Sequence, residues 1–353
     1  MRLFLRFLLA ATFCSATPLY TVTDLGAVSG STATAFAVSS NGLAAGWSSD
    51  ALGNTQALLF GGTGPASLWL NGQATGINNS GQVSGTAWIG GSSHGVVRSG
   101  ASTVDLGPST SAAAINDAGQ VAASAGHALL YQNGTTTDLG ALPGGNWSLA
   151  EGLSGNGAVT GYSDSSSGIR AFIWTSTTGM TELDTLGGNA SYGMSVNDPG
   201  IVSGSAATAS GYLHAVVWVN GLATDLGTLG GGNSYGYGIN DDGISVGYSW
   251  LAGNAATHAF IVINGVMVDL NSLLAPADSG WIVTAAYGIN DTSQIVGEAT
   301  WNGQSHAVLL NDPPSRPSTP GAAPSAVPEP ATLLPAATAL ALLTLRRAFT
   351  RSR

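Results

Sequence analysis

All five histidines occupy one position of a repeated sequence pattern. Each begins a short, mostly apolar run: His94, His127, His214, His258 and His306. Converging histidines could bind a metal ion, but equivalent positions of repeated units are spread apart, and Gln56 and Arg170 replace His in two repeats. Because a buried polar group needs a hydrogen-bond partner, we expect each histidine to bond to the Asp of an Asp-Leu-Gly sequence. The pattern favours a structural role over a metal site.

Three other motifs match catalytic or binding signatures. Residues 243–247 fit the G-x-S-x-G nucleophile elbow, but that chemistry needs a strand-to-helix turn, so we interpret Ser245 as an ordinary strand residue. Residues 240–243 lack the distant Glu of an EF-hand, which favours turn residues over a calcium site. Residues 226–232 are glycine-rich but no Lys follows, which argues against a phosphate loop. None of the three predicts a catalytic, metal or cofactor site.

Four tryptophans fall just after predicted second strands, near loop ends: Trp47, Trp88, Trp250 and Trp301. Exposed aromatic rings at such places could stack on sugar rings. Core packing is the favoured interpretation, since large aromatic side chains are mostly buried. These residues are the candidate sugar-stacking positions.

Self-similarity organises the middle of the chain. A turn residue recurs at Gly42, Gly81, Gly119, Gly157, Gly200, Gly243 and Ser293. The spacings of 39, 38, 38, 43, 43 and 50 residues suit a unit of four short strands. Turns of Asn, Asp and Gly separate the first two strands. The third is almost continuously apolar, which indicates burial on both faces, and Asn-Gly turns lead to a fourth strand that ends in Asp-Leu.

These units predict an all-β fold, a seven-bladed β-propeller of four-stranded antiparallel blades over residues 20–310. The seventh unit lacks a fourth strand, whereas residues 20–26 form a fourth strand with no unit before it. We therefore expect this N-terminal strand to complete the last blade and close the ring, which removes both sheet edges.

The repeats also resemble the bacterial extracellular HAF-repeat family, named for the His-Ala-Phe found at His258-Ala259-Phe260. Some repeats depart from His-Ala-Phe, since Gln56 and Arg170 replace the His and Gly95 replaces the Ala. The resemblance spans nearly the whole chain between its two ends. It implies an extracellular location and no particular biochemical activity.

The N-terminus has the layout of a secretory signal peptide at residues 1–16. Arg2 and Arg6 precede an apolar stretch, and small residues follow it, with cleavage expected after Ala16. Lipidation of Cys14 is the alternative. Cys14 is the single Cys, so the exported chain would contain no disulfide.

The C-terminus combines a Pro-, Ser- and Thr-rich linker at residues 311–326 with a three-part tail at residues 327–353. Pro328-Glu329-Pro330 precedes an apolar run that ends at Arg346-Arg347. This tail resembles the PEP-CTERM sorting signal of Gram-negative bacteria. The resemblance implies transient membrane insertion of a short helix, processing by an exosortase, and association with exopolysaccharide or the cell surface. A permanent membrane anchor is the alternative.

Charge and composition narrow the function classes. The chain has 51 Gly, no Lys and a formal net charge of −10, so binding to nucleic-acid phosphates is not expected. No cofactor is predicted. The leading hypothesis is an exported, non-enzymatic surface or matrix propeller with a structural or binding role. A glycan-binding propeller is second, and a hydrolase or lyase using Glu151 and Glu298 ranks last, because these are the only two Glu near first or second strands.

Overall fold

The computed structural model describes residues 19–27, 32–61 and 64–312, which form an all-β structure of 28 strands and two 3-10 helices. Five sheets have four strands each, and a sixth has eight. The eight-stranded sheet consists of two four-stranded antiparallel sets that meet at one parallel pair, Ile169 and Ala190. Strand pairing therefore gives seven four-stranded antiparallel units. The chain is a β-propeller, as the repeats predict.

Within a unit the strands pair in order, so the first and fourth strands form its two edges. The first strands are β2 (Thr32–Val38), β6 (Gly72–Ile77), β10 (Ser111–Ile115), β14 (Ser148–Leu153), β18 (Gly187–Val196), β22 (Gly230–Ile239) and β26 (Ile282–Ile289). The second strands are β3 (Ala44–Ser49), β7 (Val83–Ile89), β11 (Val121–Ala125), β15 (Val159–Ser165), β19 (Val202–Thr208), β23 (Ser245–Leu251) and β27 (Ile295–Trp301).

The third strands carry most of the continuous apolar sequence. They are β4 (Thr55–Phe60), β8 (Ser92–Ser99), β12 (His127–Gln132), β16 (Gly168–Thr175), β20 (Leu213–Val219), β24 (Thr257–Ile263) and β28 (Gln304–Asn311). The fourth strands are β5 (Ala66–Leu70), β9 (Ser102–Pro108), β13 (Thr135–Asp138), β17 (Gly179–Glu182), β21 (Leu222–Asp225), β25 (Val266–Asp269) and, for the last unit, β1 (Thr21–Asp24).

Turn chemistry explains the strand boundaries. Gly243 has a φ of +76°, and Ser293 takes the equivalent position at +61°, a left-handed conformation that glycine adopts more easily. The hairpin turn at Asn133-Gly134 has φ values of +50° and +83°, as a two-residue turn between antiparallel strands requires. The Asn-Gly signals of the sequence therefore do mark the turns between third and fourth strands.

Strand β1 closes the ring, as predicted. It pairs antiparallel with β28, with Thr21 opposite Asn311 and Asp24 opposite Val308. Strand β28 continues to Asn311, one residue beyond the predicted end of the repeats at residue 310. Closure extends into the core, where Phe60 of the first unit and Leu309 of the last belong to one cluster of buried side chains.

The longest repeat contains an insertion that the sequence did not predict as structure. Two 3-10 helices, Leu270–Leu273 and Pro276–Asp278, lie between β25 and β26. The Tyr20 N–H donates to the Leu273 carbonyl at 2.7 Å, and the Ala275 N–H donates to the Tyr20 carbonyl at 2.8 Å. The Tyr20 side chain is fully buried. The insertion therefore holds the segment that leads into β1.

The predicted signal peptide at residues 1–16 lies outside the described residues. So do nearly all of the linker and the sorting residues Pro328, Glu329, Pro330, Arg346 and Arg347. Across the part of the chain that is described, no helix has the length and apolar character needed to cross a membrane.

Candidate functional site

The first strands of all seven units surround one cavity of about 510 Å³. Every residue that lines it belongs to one of these strands, which identifies the cavity as part of the central channel. Each first strand shows a shift of register against its second strand, the mark of a β-bulge. The extra residues at these bulges are Phe36, Thr75, Ala113, Glu151, Met194, Tyr237 and Tyr287, and all seven line the cavity.

A bulge places two residues of one strand opposite a single residue of the neighbouring strand. The extra residue breaks the regular alternation of side chains, so its side chain points in a new direction. The residue after each extra residue is small because neighbouring first strands approach closely. A Cβ atom on Gly152 would lie 2.8 Å from the Ser195 Cα, and one on Gly288 would lie 2.7 Å from the Phe36 carbonyl oxygen. The bulges therefore place one variable side chain per unit in the channel between tightly packed strands. We call these seven extra residues the bulge ring.

One side of the bulge ring is aromatic. Tyr237, Tyr287 and Phe36 come from consecutive units, and their ring centroids are 5.2 and 5.3 Å apart in edge-to-face contacts. Tyr248 of a second strand stacks on Tyr237 at 5.7 Å and contacts Tyr235 at 5.0 Å. Edge-to-face and offset contacts are the favoured arrangements of aromatic pairs. The result is a continuous arc of five aromatic rings, which we call the aromatic arc.

A second aromatic group lies on the units that carry Glu151 and Met194. Tyr162 contacts Tyr192 at 5.1 Å and Trp147 at 6.0 Å, both edge to face. The opposite part of the bulge ring, Thr75 and Ala113, is small. The bulge ring is therefore asymmetric, with three aromatic side chains on one side and the small Thr75 and Ala113 on the other.

Glu151 is the one charged residue among those that line the cavity. Its carboxyl forms no side-chain hydrogen bond or ion pair within the described residues, and burial raises its pKa to about 7. Burial and then the Glu151 charge raise the pKa of the Tyr162 phenol. Among the residues that the structure describes, Glu151 is thus a carboxyl without a hydrogen-bonding partner, on a wall that also carries aromatic side chains.

Glu298, the other predicted carboxylate, lies outside this group. It is on β27, where its carboxylate accepts hydrogen bonds from Ser305 Oγ at 2.6 Å and Thr34 Oγ1 at 3.4 Å. It is not among the residues that line the cavity. The structure therefore does not bring Glu151 and Glu298 together in the channel wall.

A second cavity of about 250 Å³ lies at the turns that follow the first strands. The Asn240 side chain accepts the Ile244 N–H at 2.9 Å, which confirms the turn interpretation of residues 240–243. It also donates to the Asn290 carbonyl of the next unit at 3.2 Å, and Asn290 donates to the Ser39 carbonyl at 2.9 Å. These turns thus link neighbouring units, including the last and the first. No group of three or more His, Cys, Asp or Glu in the described residues is placed to hold a metal ion.

The histidines make the hydrogen bonds to Asp that their positions predict, although Asp269, the partner of His258, begins Asp-Leu-Asn rather than the expected Asp-Leu-Gly. Each Nδ1 atom contacts an Asp carboxylate at 2.7–3.0 Å, in the pairs His94–Asp105, His127–Asp138, His214–Asp225, His258–Asp269 and His306–Asp24. The carboxylate also caps the turn that follows, as where the Asp105 carboxylate accepts the Gly107 N–H at 2.8 Å. These contacts clamp the third strand to the fourth.

The four candidate tryptophans lie within the second strands rather than after them, because these strands extend further than predicted. Trp88 is 60% exposed and Trp301 is 37% exposed, whereas Trp47 and Trp250 are half-buried. Trp301 lies 5.0 Å from Trp281, which sequence reasoning did not single out. The four belong to different units and do not line the channel cavity. Sugar stacking at these positions stays a prediction.

The sequence signal for the bulge ring was present but missed. Each extra residue stands three positions before the Asn or Ser that begins the first turn, as Glu151 does before Ser154 and Tyr237 before Asn240. Alignment of the repeats at this turn shows one column of unrelated side chains, followed by small residues and then by aliphatic ones. That column is the candidate functional site.

The chain is similar to solved β-propeller structures at low sequence identity. No protein-family model and no curated protein sequence matches the chain. Similar solved structures include the β-propeller domain of the Trilobed protease from Pyrococcus furiosus, with 8% identity, a TM-score of 0.46, and coverage of 83% of this chain and 96% of that one. TolB from Acinetobacter baumannii has 10% identity, a TM-score of 0.35, and coverage of 76% and 63%. A triple mutant of AofleA from Arthrobotrys oligospora has 12% identity, a TM-score of 0.35, and coverage of 82% and 90%.

Proposed function

We propose that this protein is exported and acts at the cell surface or in the extracellular matrix by binding rather than by catalysis. The layout of residues 1–16 and the three-part tail at residues 327–353 support export and processing by an exosortase. Intact-mass measurement of protein from cells and from the medium tests this part. We expect chains that begin after Ala16 and lack the tail. A chain in the medium that still ends at Arg353 would contradict the processing.

We further propose that the ligand is a glycan, such as a segment of exopolysaccharide, bound in the channel cavity. The observation that carries this proposal is the bulge ring, which aims seven side chains from seven units into one cavity with three adjacent aromatic rings. Aromatic faces suit the apolar faces of sugar rings, and a few placed polar groups fix orientation in binding cavities. Glu151 and Thr75 supply polar groups in that wall.

Titration calorimetry with neutral oligosaccharides and purified exopolysaccharide tests the site. We expect Tyr237→Ala to weaken binding about tenfold or more, because one stacking face is lost. Trp88→Ala is the matched control, since Trp88 is an exposed aromatic residue outside the cavity. Loss of binding in Trp88→Ala but not in Tyr237→Ala would move the site to the tryptophans. Absence of binding by any glycan would reject the glycan proposal.

One observation favours a second candidate, a glycan hydrolase or lyase. A carboxyl whose pKa is raised to about 7 by burial is suited to act as a general acid near neutral pH. The candidate is weaker because Glu298 does not share the cavity. Incubation of bound glycans with the protein, followed by mass analysis, tests it. New shorter products that disappear in Glu151→Gln would establish catalysis, and unchanged glycans would exclude it for those substrates.

A further inference from the structure

The charge of the channel cavity restricts the glycans that could bind there. Glu151 is the one ionisable carboxyl in the wall, and the chain has no Lys. Both arginines of the described residues are engaged elsewhere. Arg98 donates to the Leu68 carbonyl at 2.9 Å, and Arg170 donates to the Asn189 carbonyl at 2.6 Å. A sulfated, phosphorylated or uronic glycan would therefore meet a carboxyl and, within the described part of the chain, no compensating cation in the cavity wall.

The same wall is suited to a positive charge. Tyr237 and Glu151 both line the channel cavity, so a ligand in the cavity can reach both side chains. Tyr237 belongs to the aromatic arc, whose ring faces attract cations. A carboxylate and aromatic rings in the wall of one partly desolvated cavity are the combination that recognises ammonium groups.

We propose that the channel cavity binds a glycan that carries free, protonated amino groups, with one ammonium held between the Glu151 carboxylate and the rings of the aromatic arc. This inference rests on the glycan proposal and specifies its substrate class. A neutral glycan offers Glu151 only hydroxyl donors, whereas an ammonium group balances its charge and donates a stronger, charge-assisted hydrogen bond.

Binding of the cation must favour the ionised form of Glu151. In mildly acidic solution, where the free carboxyl is mostly protonated, binding therefore releases a proton. The titratable groups close to Glu151 are the Tyr162 and Tyr237 phenols, and burial raises the pKa of both, so they stay protonated throughout. Any proton that the protein releases on binding is therefore expected to come from Glu151.

The experiment uses two probes of equal length, a glucosamine hexamer with free amines and the same hexamer fully N-acetylated. Both are titrated into the purified protein at mildly acidic pH, in two buffers that differ in ionisation enthalpy. We expect the free-amine hexamer to bind about tenfold or more tightly than the acetylated one, with release of up to about one proton. In Glu151→Gln, the two hexamers should bind equally tightly and no proton should be released from the protein on binding.

Glu182→Gln is the matched control, because it removes one carboxylate that pairs with Arg170 outside the cavity. The Glu182→Gln variant should still bind the free-amine hexamer more tightly than the acetylated one and should still release the proton on binding. Equal binding of the two hexamers would overturn the amine inference and leave the glycan proposal standing. Butylammonium serves as a third probe, and if it binds while neither hexamer does, the glycan proposal fails and the cation site remains. Absence of binding by all three probes would overturn the inference.

Discussion

His306 and Asp24 are 282 residues apart in sequence, yet the His306 Nδ1 atom lies 3.0 Å from the Asp24 carboxylate. The four other His–Asp pairs each span 11 residues, within one unit. The same hydrogen bond between third and fourth strands therefore recurs in the last unit, where no hairpin turn connects these two strands. At this place it holds the first described strand of the chain to the last.

Asp24→Ala should loosen this closure specifically. The His306 hydrogen bond is lost, and so is the cap on the Gly26 N–H, at a cost of about 1 kcal/mol because both groups are partly exposed. Hydrogen exchange should become faster across β1. Asp138→Ala is the control, since its pair joins strands that a two-residue turn already connects. Equal exchange of β1 in the wild type and Asp24→Ala would contradict a closing role.

Tyr20→Ala should destabilise the whole ring far more. Tyr20 is fully buried in a cluster with Leu270 and Leu273, so truncation removes burial and leaves a cavity. We expect a loss of about 3–5 kcal/mol in the free energy of unfolding, measured by denaturant titration. Tyr212→Ala, at a tyrosine that is 51% exposed, should cost much less. Similar losses in the two variants would show that the segment before β1 does not anchor the ring.

Asn290→Asp tests the contact between the last and first units at the turns. The variant keeps the oxygen that accepts the Gln294 N–H but replaces the donor to the Ser39 carbonyl with a second oxygen. Because Asn290 is buried, we expect a loss of about 2–4 kcal/mol in unfolding free energy. Asn133→Asp, at an exposed turn, should be nearly neutral. A neutral Asn290→Asp would mean that the amide donor does not contribute to closure.

We expect ionisation of Glu151 to lower the free energy of unfolding as the pH rises. Burial raises its pKa from 4.5 to about 7, so the folded protein binds this proton more tightly than the unfolded chain. Its contribution to stability therefore falls as pH rises from about 4.5 to about 7 and is constant above. Glu151→Gln should match the wild type near pH 4 and exceed it by about 1–3 kcal/mol near pH 8. A constant difference between the two proteins across this range would contradict the raised pKa.

Much of the fold follows from local sequence. Asn-Gly pairs such as Asn133-Gly134 predicted the hairpins because few other residues adopt their backbone conformation. The position of each His at the start of a buried strand predicted its Asp partner, since a polar group there needs one. The absence of a fourth strand from the sequence of the last unit predicted the pairing of residues 20–26 with that unit.

The candidate site follows only from a comparison of the seven repeats and not from the local sequence of any one of them. A bulge is a property of the pairing between two strands, so the position of Glu151 in β14 shows neither the register shift nor the channel beside it. The insertion at residues 270–278 was missed for a similar reason. Its short 3-10 helices lack a hydrophobic period, and they are ordered by contact with Tyr20, far away in sequence.

The central claim is that the bulge ring forms the binding site, and a crystal structure with a bound oligosaccharide tests it most directly. We predict sugar density in the channel cavity, in contact with Tyr237 or Tyr287 and within hydrogen-bond distance of Glu151. Density confined to Trp88 or to the Trp281–Trp301 pair, with an empty channel, would contradict the account.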